Sequence, residues 1–153
     1  EKARRAGEGS AEVLAQLHKV PGCENLTWND VQIASTIFAV KPGDGSAREQ
    51  AASCQRVLGA GANIVTEYAT KRYRSNLINW GMLPLQLVGA TPFGLGDYVF
   101  IPNVREALKG DLQNIKAYVL GDTAKEFSLY MAPLTADERK ILADGCLINF
   151  YKH

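Results

Sequence analysis

Histidine and cysteine are scarce in this chain of 153 residues, with two of the first and three of the second. His18 and His153 stand too far apart to nominate a metal site, and no metal is expected to be held by this chain. Cys23, Cys54 and Cys146 are odd in number and lack the paired CxxC spacing of zinc ribbons and dithiol redox sites. They read as thiols of a reducing compartment, which makes the cytoplasm the expected location. No apolar run is long enough to span a bilayer. The amino end, EKARRAGEGSAEVLAQL, mixes charges without the apolar core of a signal peptide. A formal charge of +1 excludes wholesale wrapping of nucleic acid, because any basic patch must be local. Internal repeats and low-complexity linkers are missing as well. The chain opens on Glu1 rather than methionine, which hints at a fragment or a processed product.

What is present is ordinary for a globular protein: 46% apolar and 22% charged residues, in a length that suits one domain over residues 1–153. Residues 1–19 read as helical, with Val13, Leu14 and Leu17 on one face, and a loop at Pro21, Gly22 and Asn25 completes an amino-terminal element over 1–30. The core is expected over 31–153. VQIASTIFAV, residues 31–40, is β-branched and almost continuously apolar, the pattern of a strand buried on both faces. KPGDG ends it. A helix follows from Ala47, with Ala51, Cys54 and Leu58 at helical spacing and Gly59 and Gly61 as its stop.

ANIVTEYA, residues 62–69, reads as a second strand parallel to the first. KRYRSNLINW then places Tyr73, Leu77 and Trp80 on one helical stripe, and LPLQLVG is a third strand. The order β, α, β, α, β predicts an α/β fold with helices on a parallel sheet. Beyond TPFGLG the texture changes to DYVFIP, IKAYVL and EFSLYMA, short segments that predict an antiparallel portion. Thr135 and Glu138 form a capping box for a last helix from Ala136 to Asp144, closed by Gly145.

The turn GDGSAREQAA, residues 43–52, carries the chemistry. Ser46 and Glu49 match the S-x-x-E capping box, worth about 1 kcal/mol. Arg48 fits that reading poorly, since a cation in the first turn opposes the helix macrodipole unless an anion is bound there. A glycine-rich turn between a parallel strand and a helix aims free amides at the carboxyl edge of the sheet, where such folds take ligands. Neither a Walker loop nor a dinucleotide turn is present, so a carboxylate fits better than a nucleotide. Lys71, Arg72 and Arg74 crowd the second such junction, near Thr70, either as a solvated basic face or as a site for anions or acidic side chains.

GDGSAREQAA, followed by ATKRYRSNLINWGMLPL, resembles the paired signature of the aconitase and isopropylmalate isomerase superfamily, G-[ED]-G-S-S-R-E-H-A-A and A-R-I-H-R-S-N-L-x-x-x-G-x-L-P-L. The closing LTADERKILADGCLINFYK is similar to the end of the isopropylmalate isomerase small subunit. The resemblance covers residues 31–153 and implies the swivel domain, a three-layer β/β/α fold that closes over a site completed by other domains. It implies reversible dehydration of a hydroxy di- or tricarboxylate, with a 4Fe-4S cluster as Lewis acid in the complete enzyme. Ser46 matches the serine that removes the proton alpha to a carboxylate. Arg48 matches the carboxylate-binding arginine, with Gly45 and Ala47 beside them in the substrate-binding turn.

Ala47 stands where many aconitases have a second serine, Gln50 replaces a histidine, and Lys71 and Tyr73 replace arginine and histidine. An outlying branch with a substrate other than citrate is the expectation. No cysteine set resembles cluster ligation, so the cluster is expected on partner domains or a large subunit. The upstream D-H-I segment that normally opens the swivel domain is not found either. Alone, the chain is expected to be inactive. The competing class is a non-catalytic regulatory or binding module that keeps the fold, for which KRYR offers a small footprint for RNA.

Overall fold

The computed structural model describes residues 9–152. Their contacts divide into two compact units, each assembled from three separated stretches of chain. The first unit comprises residues up to Ile33, Gly89–Pro102 and Lys116–Ser128, and the second comprises Ala34–Val88, Asn103–Ile115 and the stretch from Leu129 onward.

The second unit holds the predicted parallel core. Strand β1 (Ser35–Ala39), helix α2 (Arg48–Val57), strand β2 (Ala60–Val65), helix α3 (Lys71–Asn79) and strand β3 (Leu83–Gln86) follow in chain order. The sheet order is β1-β2-β3, with both pairings parallel. β2 is therefore the central strand, and Asn63, Ile64 and Val65 at its end are fully enclosed. β1 is an edge strand whose Ile37 and Phe38 remain about 40% exposed, which corrects the expectation of burial on both faces. A continuous apolar run shows hydrophobicity but not position in the sheet. Pro84 is tolerated in β3 because that strand is the other edge.

Helix α3 buries Tyr73, Leu77 and Ile78, each worth about 1.5–3 kcal/mol. With Ala52, Ala60 and Met82, Tyr73 and Leu77 make one apolar cluster. In α2 the inward residue is Ala52, whereas Ala51, Cys54 and Leu58 face solvent. The stripe expected there is thus rotated, because half-buried Gln55 and Arg56 are drawn inward by hydrogen bonds to the Tyr73 hydroxyl and the Ala60 carbonyl. Helix α4 (Val104–Lys109) lies in a stretch with no predicted helix. Helix α5 (Ala136–Asp144) carries the predicted capping box between Thr135 and Glu138, and Gly145 ends it in the left-handed region at φ 94°. Helix α6 (Leu147–Phe150) follows.

In the first unit, α1 (Ala11–Leu17) is capped by Ser10. The predicted helical residues 1–8 lie outside those described. Leu17, Val20, Cys23, Tyr118 and Leu120 form its core, with Val13 and Leu26 packed against it. Strands β4 (Val99–Phe100), β5 (Ile115–Val119) and β6 (Lys125–Leu129) form the expected second sheet in the order β4-β5-β6. The β4–β5 pair is antiparallel, with Val99 opposite Val119. β5 and β6 belong to this unit except for Ile115 and Leu129. Among the described residues, no helix is long and apolar enough to cross a membrane.

Candidate functional site

Parallel pairing of β1 with β2 brings the turns that follow them side by side at the carboxyl ends of the strands. Three backbone hydrogen bonds extend the pairing past the sheet: Thr66 N to Ala39 O at 3.2 Å, Glu67 N to Val40 O at 2.9 Å and Ala69 N to Pro42 O at 3.0 Å. The two junctions singled out in the sequence are therefore one local structure.

Gly43 adopts φ 99°, and a Cβ added there would lie 2.5 Å from Tyr73 Cβ and 2.6 Å from its Cγ. Only glycine lets the turn lie this closely on the tyrosine. Tyr73 is held in turn, since its hydroxyl accepts from Gln55 Nε2 at 2.8 Å and from Asn63 Nδ2 at 3.0 Å. The Gly43 carbonyl accepts from Arg48 Nε and from Thr70 Oγ1, both at 3.0 Å. Thr70 also caps α3, accepting from Tyr73 N at 3.3 Å.

The predicted capping box at Ser46 is not formed. Helix α2 starts at Arg48, and its N-cap residue, Ala47, has no side chain that could cap it. Glu49 is recruited elsewhere: its Oε1 accepts from Trp80 Nε1 at 2.6 Å. In the amide orientation that satisfies both groups, Asn76 donates to Glu49 Oε2 at 3.2 Å and accepts from Glu49 N at 3.1 Å. A charge-assisted bond to an indole and an amide replaces the reach back to the Ser46 amide. Gly45, Ser46 and Ala47 are consequently exposed, and the Ser46 hydroxyl has no hydrogen-bond partner among the described residues.

Arg48 is half-buried, anchored through Nε, and its two terminal nitrogens have no partner among the described residues. At the second junction, Arg74 is diverted to structure, donating to the Ala132 and Pro133 carbonyls at 2.9 Å each. Lys71 and Arg72 stay exposed. The arrangement therefore juxtaposes a helix start whose N-cap makes no side-chain bond, a hydroxyl without a partner among the described residues and an oriented guanidinium, groups suited to a carboxylate. Tyr68, beside Tyr73 at a ring separation of 6.2 Å, has its hydroxyl pushed well above the usual range by burial and then by Tyr73. Sequence reasoning missed Gly43 and Thr70 as organisers of the turn. The N-cap signal of a threonine before KRYR was the available clue to Thr70.

An iron–sulfur cluster does not fit the described residues. Cys23 is buried in the first unit, where burial and then the Glu24 charge push its thiol up, while Cys54 is exposed and Cys146 half-buried. Among the described residues no group of three or more histidine, cysteine, aspartate or glutamate side chains is placed to hold a metal ion. His18 is occupied with the Leu26 carbonyl at 2.7 Å.

The profile of the Aconitase C-terminal domain family matches residues 19–89, a span that includes both turns. Aconitate hydratase A of Mycobacterium avium is 34% identical over 116 residues, 71% of this chain. The crystal structure of 3-isopropylmalate dehydratase (leuD) from Methanocaldococcus jannaschii matches with a TM-score of 0.54 and 29% identity, over 82% of this chain and 67% of that one. The chain belongs to the aconitase superfamily. It is a swivel domain of that superfamily, with the α/β class, the parallel β-α-β core and the following antiparallel portion expected from its sequence. This aconitase-type domain spans only 12% of the length of the aconitate hydratase it matches. Its two named relatives are a hydratase and a dehydratase.

Proposed function

We propose that this domain serves a hydro-lyase that reversibly dehydrates a hydroxy di- or tricarboxylate, with Ser46 as the base and Arg48 binding a substrate carboxylate. The supporting observation is the exposed Ser46 hydroxyl, without a hydrogen-bond partner among the described residues, two residues from the half-buried Arg48 at the start of α2. A serine hydroxyl is a weak acid and serves as a base only where its alkoxide is stabilised. The helix-start amides other than Glu49 N, which Asn76 holds, and a neighbouring guanidinium supply that stabilisation, at about 1.5–3 kcal/mol per charge-assisted hydrogen bond. Ser46 Oγ takes the proton from the carbon alpha to a carboxylate, the new double bond forms, and hydroxide leaves the adjacent carbon. The exposed turn of Gly45 and Ala47 lets the substrate carboxylate approach the backbone closely.

The 4Fe-4S cluster implied by the family is assigned to partner domains or a large subunit, where it would act as Lewis acid on the departing hydroxyl. Isolated, the domain is inactive on this reading, and its setting is cytoplasmic. The alternative of an RNA-binding module is weakened because Arg74 is committed to backbone carbonyls, leaving only Lys71 and Arg72 of the KRYR cluster exposed. The test is turnover of aconitate and of 3-isopropylmalate by the complete enzyme that contains this chain. Ser46→Ala should lower kcat by about 10²–10⁴-fold with KM little changed. Turnover by Ser46→Ala near that of the wild type would remove Ser46 from the role.

A further inference from the structure

We propose that Thr70 is a positioning residue for Arg48, acting through the Gly43 carbonyl; the inference rests on the reading of Arg48 as the carboxylate-binding group. A guanidinium recognises a carboxylate through two parallel N–H donors, so its plane must be fixed before the ligand arrives. Here Nε is fixed by Gly43 O at 3.0 Å, which reserves the terminal nitrogens for a ligand. The orientation of Arg48 is then only as well defined as the position of that carbonyl.

Two groups define it from the α3 side. The Tyr73 ring supports the Gly43 α-carbon so closely that no Cβ fits between them. The Thr70 hydroxyl donates to the carbonyl oxygen at 3.0 Å. A carbonyl has two lone pairs, and Arg48 Nε and Thr70 Oγ1 take one each. A hydroxyl can donate once while accepting, so Thr70 holds the carbonyl and caps α3 at the Tyr73 amide in the same conformation. Without the hydroxyl, the Tyr73 ring still supports the α-carbon, but the nearest remaining hydrogen bond between the two turns is Ala69 N to Pro42 O at 3.0 Å, one residue upstream of Gly43. The carbonyl oxygen itself would then be held by Arg48 Nε and by no group of the second turn.

The experiment measures the affinity of the complete enzyme for propane-1,2,3-tricarboxylate, which lacks a leaving hydroxyl and reports binding alone. Thr70→Val keeps the shape and removes the hydroxyl, Thr70→Ala removes it with less bulk should valine prevent folding, and Thr70→Ser retains it. Thr70→Val or Thr70→Ala should raise Kd about tenfold, the equivalent of one lost hydrogen bond, and Thr70→Ser should stay within about twofold of wild type. In an Arg48→Lys background, which has no Nε, Thr70→Val should add almost nothing, because the two residues act as one unit.

A melting temperature lowered by Thr70→Val with Kd unchanged, while Arg48→Lys does weaken binding, would reduce Thr70 to a helix cap and overturn the inference alone. Additive effects of the two substitutions would overturn it as well. No binding by the wild type, or none lost in Arg48→Lys, would instead sink the carboxylate reading itself.

Discussion

Gly43 and Gly45 stand two residues apart in the same turn, and replacing each with alanine should have opposite consequences. At Gly43 the backbone is held at φ 99°, where a Cβ costs about 1–2 kcal/mol. The added methyl would also meet Tyr73 Cβ at 2.5 Å, where carbon atoms prefer about 3.5–4.0 Å. Tyr73 is only 2% exposed and its hydroxyl is held by Gln55 and Asn63, so the ring cannot step aside cheaply. Overpacking of this kind costs about 1–3 kcal/mol, giving about 2–5 kcal/mol in all for Gly43→Ala.

Gly45 lies outside the left-handed region, and a Cβ there meets nothing within 4 Å. Gly45→Ala should therefore be neutral or stabilising by about 0.4–1 kcal/mol, through a less flexible unfolded chain. Urea titrations followed by circular dichroism separate the two cases. With a slope of about 1–3 kcal/mol per molar, a loss of 3 kcal/mol moves the midpoint by about 1–3 M. A Gly43→Ala midpoint indistinguishable from that of Gly45→Ala would refute the close packing of this turn on Tyr73.

Other outcomes follow from single contacts. Tyr73→Phe strips the acceptor from Gln55 and from the buried Asn63, and should cost about 2 kcal/mol in the same urea assay. Thr135→Ala removes the acceptor for Glu138 N and should cost about 1 kcal/mol, with Thr135→Ser keeping most of it. Burial favours the neutral Tyr68 phenol, so its folded-state pKa is raised above the ordinary value near 10. Its contribution is full below about pH 10 and is lost as pH rises further, so Tyr68→Phe should flatten the alkaline decline in unfolding midpoint. An equal decline in both proteins would mean that Tyr68 ionises without penalty.

The alternation of strand and helix was legible because it rests on local periodicity and punctuation. Leu77 and Tyr73 are buried on one stripe as their spacing requires, and Thr135, Glu138 and Gly145 bound α5 where local rules put them. Position within the sheet was not legible. VQIASTIFAV and ANIVTEYA are both apolar, yet only the second supplies the central strand, a choice made by pairing partners rather than by either segment. The Ser46 box failed for a similar reason. Glu49 is bonded to Trp80, 31 residues away, and a four-residue motif carries no trace of that competitor. Ser46 and Arg48 were singled out by resemblance, but Gly43 and Thr70 organise the turn through a contact that exists only once β1 and β2 are paired.

The interleaving of the two units has a consequence for synthesis of the chain. The strands β1, β2 and β3 are contiguous with their two helices, so this part of the sheet is complete once residue 86 has left the ribosome. The first unit needs residues up to Ile33, then Gly89–Pro102, then Lys116–Ser128, so its earliest-made segment waits for about 40 residues more. At roughly 5–20 residues per second that is a delay of about 2–8 s, during which Leu17, Val20 and Cys23 lack the Tyr118 and Leu120 side chains that enclose them. The amino-terminal segment, although made before the parallel sheet, can be enclosed only after it.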